Sequence, residues 1–533
     1  MSFLHFTLFV FVFIFFHSFN LIDSSSTAFV APVEKDESTE LYIISIFIRT
    51  PLQSADLILD LGGKLSWIDC TTGVYTSTTH HYIPCGTDLC DSIGSIACSN
   101  CFRPSGPGCH NNSCGLFPEN PVIRNSILAQ ALVDSAALTS TDGRSPGQLG
   151  VVPNFVLSCS DDSLLQGLPK GVSGLAGLGR SNVSLPAQVS SVYASPNIFA
   201  LCLPNPSSPL PGSAFFNFAG PYYFSPGIDL SSHLVYTPLI LNPVGFTMIT
   251  YNRQPSDEYF IGVTSIAVNG KPVEFNHNLL KIDGNGFGGT RLSTVTPYTV
   301  LETSIYKAFT KAFINESAAL NLTETDPVDP FDVCYAACDV LSTRLGPAFP
   351  TIDLVMHSDD VFWRIFGANS MVKVATENGD RWCLGFVNGG DDPRTSVVIG
   401  GHQMEDNLLQ FDLVSERLGF SSSVLVHNTN CAGFNFTEDP PVSDFRSFHS
   451  RRRLAPPPVP LFLHCVFPAR RRLPALRSWT TPNRTISSRE STSPIILTTH
   501  QSSRTQSQPT PYALKMHISL ESNQSTSTEN QLE

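Results

Sequence analysis

One layout is written twice in this chain, and it constrains the fold more than any other feature. Leu57-Ile58-Leu59-Asp60-Leu61-Gly62-Gly63 is an apolar strand ending on a carboxylate and a Gly turn, followed by the apolar Leu65-Ser66-Trp67-Ile68. Thr290-Arg291-Leu292-Ser293-Thr294-Val295 runs into Thr299-Val300-Leu301 in the same way, but Ser293 stands where the matching acid would be. Each copy is followed by an apolar-apolar-Gly element, Val172-Ser173-Gly174-Leu175-Ala176-Gly177-Leu178-Gly179 in the first and Val397-Val398-Ile399-Gly400-Gly401 in the second. Two copies of one layout imply two related lobes. Asp60 by itself reads as a turn-capping carboxylate, because Asp side chains accept bonds from the backbone two residues on.

The rest of the chain agrees with a strand-rich fold. Only 14% of residues are charged, and runs of four to eight apolar residues alternate with turn clusters, as in Leu41 to Ile48 before Arg49-Thr50-Pro51. Helical periodicity is confined to short segments such as Thr303 to Leu320, with Ile305, Phe309, Ala312 and Phe313 on one side, a helix expected to pack on a sheet. The Pro/Gly/Ser-rich passage from Gly220 to Ser232 is the expected crossing point. The lobes are therefore placed at residues 41–225, with a Cys-rich insertion, and 226–437.

Both ends differ from this body. Leu4 to Phe16 is an apolar run too short to span a bilayer comfortably and precedes the small residues Ser24 to Ala28, so residues 1–26 read as a secretory signal peptide. Residues 438–533 carry twelve Lys and Arg against seven Asp and Glu, with Arg451-Arg452-Arg453, Arg470-Arg471-Arg472 and long Ser/Thr/Gln runs. That composition offers little to bury and is read as a disordered tail, foreign to the rest. The Arg triplets suggest a nucleic-acid arm, but sparse aromatic interleaving and an export signal argue against it. No later stretch is apolar enough for a transmembrane helix.

Seven of the 14 cysteines, Cys70, Cys85, Cys90, Cys98, Cys101, Cys109 and Cys114, fall in a Gly/Ser/Asn-rich segment that builds little core and needs disulfides. Cys98 and Cys101 have the C-x2-C spacing of a zinc site, yet no second close pair matches them, so no metal is assigned. Sequons at Asn111, Asn182, Asn315, Asn321 and Asn435 fit a glycoprotein.

The Asp turn and the paired apolar-apolar-Gly elements resemble the pepsin-like aspartic proteases over roughly Leu41 to Phe436. The resemblance implies an all-β, bilobal fold with two related β-rich lobes and a few short helices. Each lobe of that family supplies one Asp, and the two share a proton because like charges so close cannot both ionise. Here Leu61 follows Asp60, Ser293-Thr294-Val295 replaces the second triplet, and no Tyr for a closing flap occurs between Tyr82 and Tyr193. A Ser hydroxyl cannot cycle between acid and base near neutral pH, so Asp60 and Ser293 are read as vestigial and the chain as non-catalytic, with no cofactor. A Ser-nucleophile reading of Ser293 lacks the Gly-x-Ser-x-Gly elbow.

Longer stretches are similar to a plant subgroup of that fold, the extracellular dermal glycoproteins, legume basic globulins, and xylanase and xyloglucanase inhibitors. They include Ile96-Ala97-Cys98, Cys109 to Gly115, Phe117 to Val122, Leu292 to Glu302, and Val398 to Asn407 with its His402-Gln403-Met404-Glu405-Asp406-Asn407. The subgroup's twelve cysteines imply disulfides among the seven above and Cys159, Cys202, Cys334, Cys383 and Cys431, leaving Cys338 and Cys465 outside. Cys70 with Cys159 and Cys334 with Cys383 are the expected pairs. The resemblance further implies an apoplastic, cell-wall protein that acts in defence by plugging the cleft of a microbial endoglycanase of xyloglucanase or xylanase type. A cation placed between the two catalytic carboxylates of such an enzyme would block it. Arg344 matches one inhibitory loop arginine, the second falls near Asn428, which is not basic, and His427 stands four residues before Cys431 as in the cereal xylanase inhibitors. Two other readings stay open: an active, atypical aspartic endopeptidase, and a peptide-binding or storage-like extracellular glycoprotein.

Overall fold

A computed structural model describes residues 27–71, 75–245 and 254–437. The signal-peptide segment 1–26, the tail 438–533 and Cys465 lie outside the described residues. Strands dominate, as the short apolar runs predict, with a few helices of which Thr303–Ala318 is the longest. Glu302 caps that helix by accepting from the Ser304 and Ile305 backbone N–H groups at 2.9 and 3.1 Å. Its Ile305, Phe309 and Phe313 are fully buried against the sheet, each worth about 1.5–3 kcal/mol of transfer free energy.

The two copies of the repeated layout fold into the same local figure. Gly174–Gly177 lies parallel to Gln53–Asp60, with Gly177 beside Asp60, and antiparallel to Trp67–Asp69. Val397–Ile399 lies parallel to Thr290–Leu292 and antiparallel to Thr299–Leu301. Each apolar-apolar-Gly element is thus inserted between the strand that enters the turn and the strand that leaves it. The fit requires glycine: a β-carbon on Gly177 would come within 2.6 Å of the Gly63 and Leu65 carbonyl oxygens, and one on Gly400 within 2.6 Å of the Tyr298 carbonyl oxygen.

Six antiparallel strands join the halves. Phe29–Lys35 pairs with Gly212–Phe216, which pairs with Ile198–Cys202. Ile198–Cys202 pairs with Leu408–Asp412, then come Arg417–Phe420 and Val235–Ile240. The central pairing therefore links a strand of the first half to one near the end of the second, and the Cys202–Cys431 disulfide closes the same seam. The His402–Asn407 stretch that stood out in the sequence works here. Glu405, 1% exposed, accepts from Lys35 Nζ at 2.6 Å and Tyr42 Oη at 2.9 Å, with His402 Nδ1 3.1 Å away. Burial pushes the Glu405 carboxyl up, but His402 and Lys35 more than offset it and hold the group below its usual value.

Twelve cysteines pair as Cys70–Cys159, Cys85–Cys98, Cys90–Cys114, Cys101–Cys109, Cys202–Cys431 and Cys334–Cys383. Both expected pairs are present, and Cys98 and Cys101 go to different bridges, so the C-x2-C spacing serves disulfides. The sequon residues Asn111, Asn182, Asn315, Asn321 and Asn435 are all exposed. Among the described residues no helix is long and apolar enough to cross a membrane.

The glycine requirement is directly testable. Gly177→Ala or Gly400→Ala should each lower unfolding free energy by about 1–3 kcal/mol, read as a lower denaturation midpoint at unchanged m-value. An unchanged midpoint would show that the inserted strands are not close-packed.

Candidate functional site

The repeated turns meet at the junction of the lobes. Thr294 reaches across: its hydroxyl donates to the Leu59 carbonyl at 2.6 Å and accepts from the Leu61 N–H at 3.0 Å. Position 61 carries no hydroxyl, so the reciprocal side-chain bond cannot form and the contact between the turns is one-sided. Asp60, 8% exposed, accepts from the Gly62 N–H at 3.0 Å, the turn-capping role expected of it. Ser293, 3% exposed, exchanges a hydrogen bond with the Thr296 hydroxyl at 2.9 Å.

Burial pushes the Asp60 carboxyl up to about 6, with the Glu258 and Glu119 charges adding to the rise and the Gly62 bond and Arg291 opposing it. The sequence alone gives no role to Glu258 or Arg291. The two form an ion pair beside the Asp60 turn, and a β-carbon on Gly62 would lie 3.2 Å from Glu258 Cγ and 3.7 Å from Asp60 Oδ1. Arg291 lies opposite Phe260 on adjacent strands, and Glu258 sits two residues before Phe260. The pairing of Glu258 with Arg291 depends on that cross-strand register, which short-range sequence spacing does not carry.

A short hairpin, Glu119–Asn120 with Asn125–Ser126, stands near the turn. The Trp67 indole N–H donates to the Glu119 carbonyl at 2.9 Å. Asn120, fully buried, donates to the Leu164 and Gln166 carbonyls at 2.7 and 2.9 Å and accepts from the Val122 and Ile123 N–H groups at 2.9 and 3.3 Å. All of its amide capacity is spent, so the hairpin is tied to its lobe at its base.

The loop residues singled out from the sequence converge on a second place. Arg344 and Leu345 form the tip of the hairpin Ser342–Thr343 and Gly346–Pro347. The tip is braced by Thr343 Oγ1, which donates to the Gly346 carbonyl at 2.7 Å and accepts from the Leu345 N–H at 3.1 Å. Gly346 has φ +93°, and a β-carbon there would lie 2.2 Å from the Ala368 nitrogen, so glycine sets the hairpin's path.

The exposed Arg344 guanidinium donates to Asn428 Oδ1 at 2.6 Å. Asn428, where a second arginine was sought, is therefore no second cation but the residue that orients the first. It ends the 3-10 turn Val424–His427 in the left-handed conformation at φ 56°, which Asn tolerates better than most residues. Cys431, three residues on, is fixed by its disulfide, and Thr429 Oγ1 donates to the Phe224 carbonyl at 2.9 Å. His427 packs its ring on that of His233, centroids 4.1 Å apart. Burial, with His233 and Arg344 alongside, holds the His427 imidazole below its usual value.

A two-lobed, mostly β molecule whose paired turns meet at the junction of the lobes is a protein of the pepsin-like aspartic protease fold. The comparisons place it more narrowly. Family models described as Xylanase inhibitor N-terminal and Xylanase inhibitor C-terminal match residues 42–216 and 258–422. The chain is 51% identical over 403 residues to a Glycine max protein titled "Probable aspartic proteinase GIP1", covering 76% of this chain and 91% of that one. It is 41% identical over 410 residues to gamma conglutin 1 of Prunus dulcis, covering 76% of this chain and 89% of that one. A crystal structure of edgp superimposes with TM-score 0.75 at 50% identity, covering 77% of this chain and 98% of that one. The chain belongs to this xylanase-inhibitor-like family.

The raised Asp60 carboxyl has a consequence for stability. Its folded value near 6 exceeds the ordinary 3.8, so the folded state binds the extra proton between those values and loses stability as pH rises through them. Asp60→Asn should therefore be near neutral at pH 4 and stabilising by about 3 kcal/mol at pH 7 in urea unfolding. Equal effects at both pH values would show that Asp60 titrates normally.

Proposed function

We propose that the protein is a secreted, non-catalytic inhibitor of a microbial cell-wall-degrading endoglycanase of the xyloglucanase or xylanase type, acting in the apoplast or cell wall. The observation that carries this reading is the exposed Arg344 guanidinium, presented on a braced hairpin tip and aimed by Asn428 beside His427. Glycosidases work with two carboxylates flanking the scissile bond. An oriented guanidinium matches carboxylate geometry in a way that a flexible lysine does not. Preorganisation by Asn428 and by the nearby disulfide reduces the ordering cost of binding. The family description points to the same class of partner, and the export signal and sequons suit an extracellular encounter.

The site around Asp60 supports the non-catalytic half of the reading. Ser293 replaces the second acid, the Thr294 contact lacks its reciprocal hydroxyl, and the hairpin near Asp60 carries no Tyr. Asp60 keeps its turn with no Asp at the matching position of the second copy.

Residues 29–437 should inhibit at least one member of a panel of fungal xyloglucanases and xylanases, with affinity falling as salt rises. Arg344→Ala should weaken inhibition by about 30-fold or more, equivalent to about 2 kcal/mol. Unchanged inhibition in that variant would remove Arg344 as the anchor.

A second reading, an atypical acid endopeptidase, is favoured by the titles of some relatives and by the Glu258 carboxylate near Asp60. Cleavage of haemoglobin at acid pH that disappears in Asp60→Asn would establish it and displace the first.

A further inference from the structure

His233 lies in the passage between the halves, on the 3-10 turn Leu230–His233. Asp229 fixes that turn, accepting from the Ser231 N–H at 2.9 Å and the Tyr222 N–H at 3.0 Å. The turn thus rests on a fully buried Tyr and holds an exposed imidazole 4.1 Å from the His427 ring, with the planes at 35°. The charged groups acting on His427 come from two other elements, His233 from this turn and Arg344 from the hairpin tip. Three segments distant in sequence therefore bring together three side chains whose charged form is positive.

Within the cluster His427 resists protonation, since burial and the charges of His233 and Arg344 oppose it. An anion reverses this by favouring the charged form of every member. We propose that His233, His427 and Arg344 make up one carboxylate-binding surface, on which the His427 imidazole, packed against the tilted ring of His233, takes up a proton as an acidic partner docks, so that engagement strengthens as the medium acidifies. The proposal rests on the reading of Arg344 as an anchor and adds a third residue and a pH dependence to it. Arg344 stays charged throughout and supplies a pH-independent share of the attraction. Each imidazole that gains a proton on docking adds up to about a tenfold rise in affinity per unit fall in pH, by linkage.

The test uses the purified full chain with labelled histidines and citrate as a tricarboxylate probe. Citrate should raise the NMR titration midpoint of His427 by about half a unit or more. In His233→Gln the His427 midpoint should rise in the absence of citrate, and citrate affinity should depend less steeply on pH. A His427 midpoint that ignores citrate, or a His233→Gln protein matching the parent in both measurements, would overturn the proposal.

A second arm uses a fungal xyloglucanase. The parent should inhibit about tenfold more tightly at pH 5 than at pH 7. His233→Gln should shrink that ratio, and Arg344→Ala should weaken inhibition at both pH values. A ratio identical in parent and His233→Gln counts against the proposal while leaving the inhibitor reading intact. If no hydrolase is inhibited at all, the inhibitor reading falls, and the citrate titration still decides whether the surface binds carboxylates.

Discussion

The six-stranded sheet shared by the two halves is the constraint on which the rest depends. Ile198–Cys202 and Leu408–Asp412 pair over their full length, so neither half can finish its sheet without the other. Unpaired backbone at that edge would be costly to bury. Glu405 adds a charged bond to Lys35 across the same seam, and the Cys202–Cys431 bridge adds a covalent one. With the halves held in this relation, the two repeated turns meet, and the loops carrying Arg344, His427 and His233 come together elsewhere.

The meeting of the turns is preserved by packing rather than by chemistry. Thr294 still bonds across to Leu59 and Leu61, and Gly177 and Gly400 still admit the inserted strands at contact distances only glycine allows. Where the pepsin-like layout calls for a second acid, Ser293 bonds to its near neighbour Thr296. Asp60 is left with its turn bond, a desolvated carboxyl and an ion pair close by. These forces hold a turn in place without a second carboxylate.

Much of this was legible in the sequence because it is local. An apolar run ending in Asp60-Leu61-Gly62-Gly63 states a strand and a turn, and its second copy states a second lobe. The insertion of Gly174–Gly177 and Val397–Ile399 beside those turns follows from the same repeat. The long match from His402 to Asn407 was visible, but not its purpose: Glu405 meets Lys35 and Tyr42, residues far away in the chain. Glu258 and Arg291 went unassigned for a similar reason, since their pairing needs the register of Phe260–Ile261 on Thr290–Leu292. Sequence matching presents Asn428 as a missing arginine because it compares residue types, whereas the Asn428 amide oxygen acts on Arg344.

The sequence by itself determined the class of fold, the twofold repeat, the absence of a second acid and the cysteines that pair, since each is carried by residue identity and short-range spacing. Only the tertiary structure decided that Arg344, Asn428, His427 and His233 form one cluster, that Thr294 bridges the turns from one side, and that Asp60 is desolvated next to an ion pair. Those facts depend on where separate loops land once the shared sheet has closed. Burial and charge-charge distance, which set the chemistry of each group, do not exist until it has.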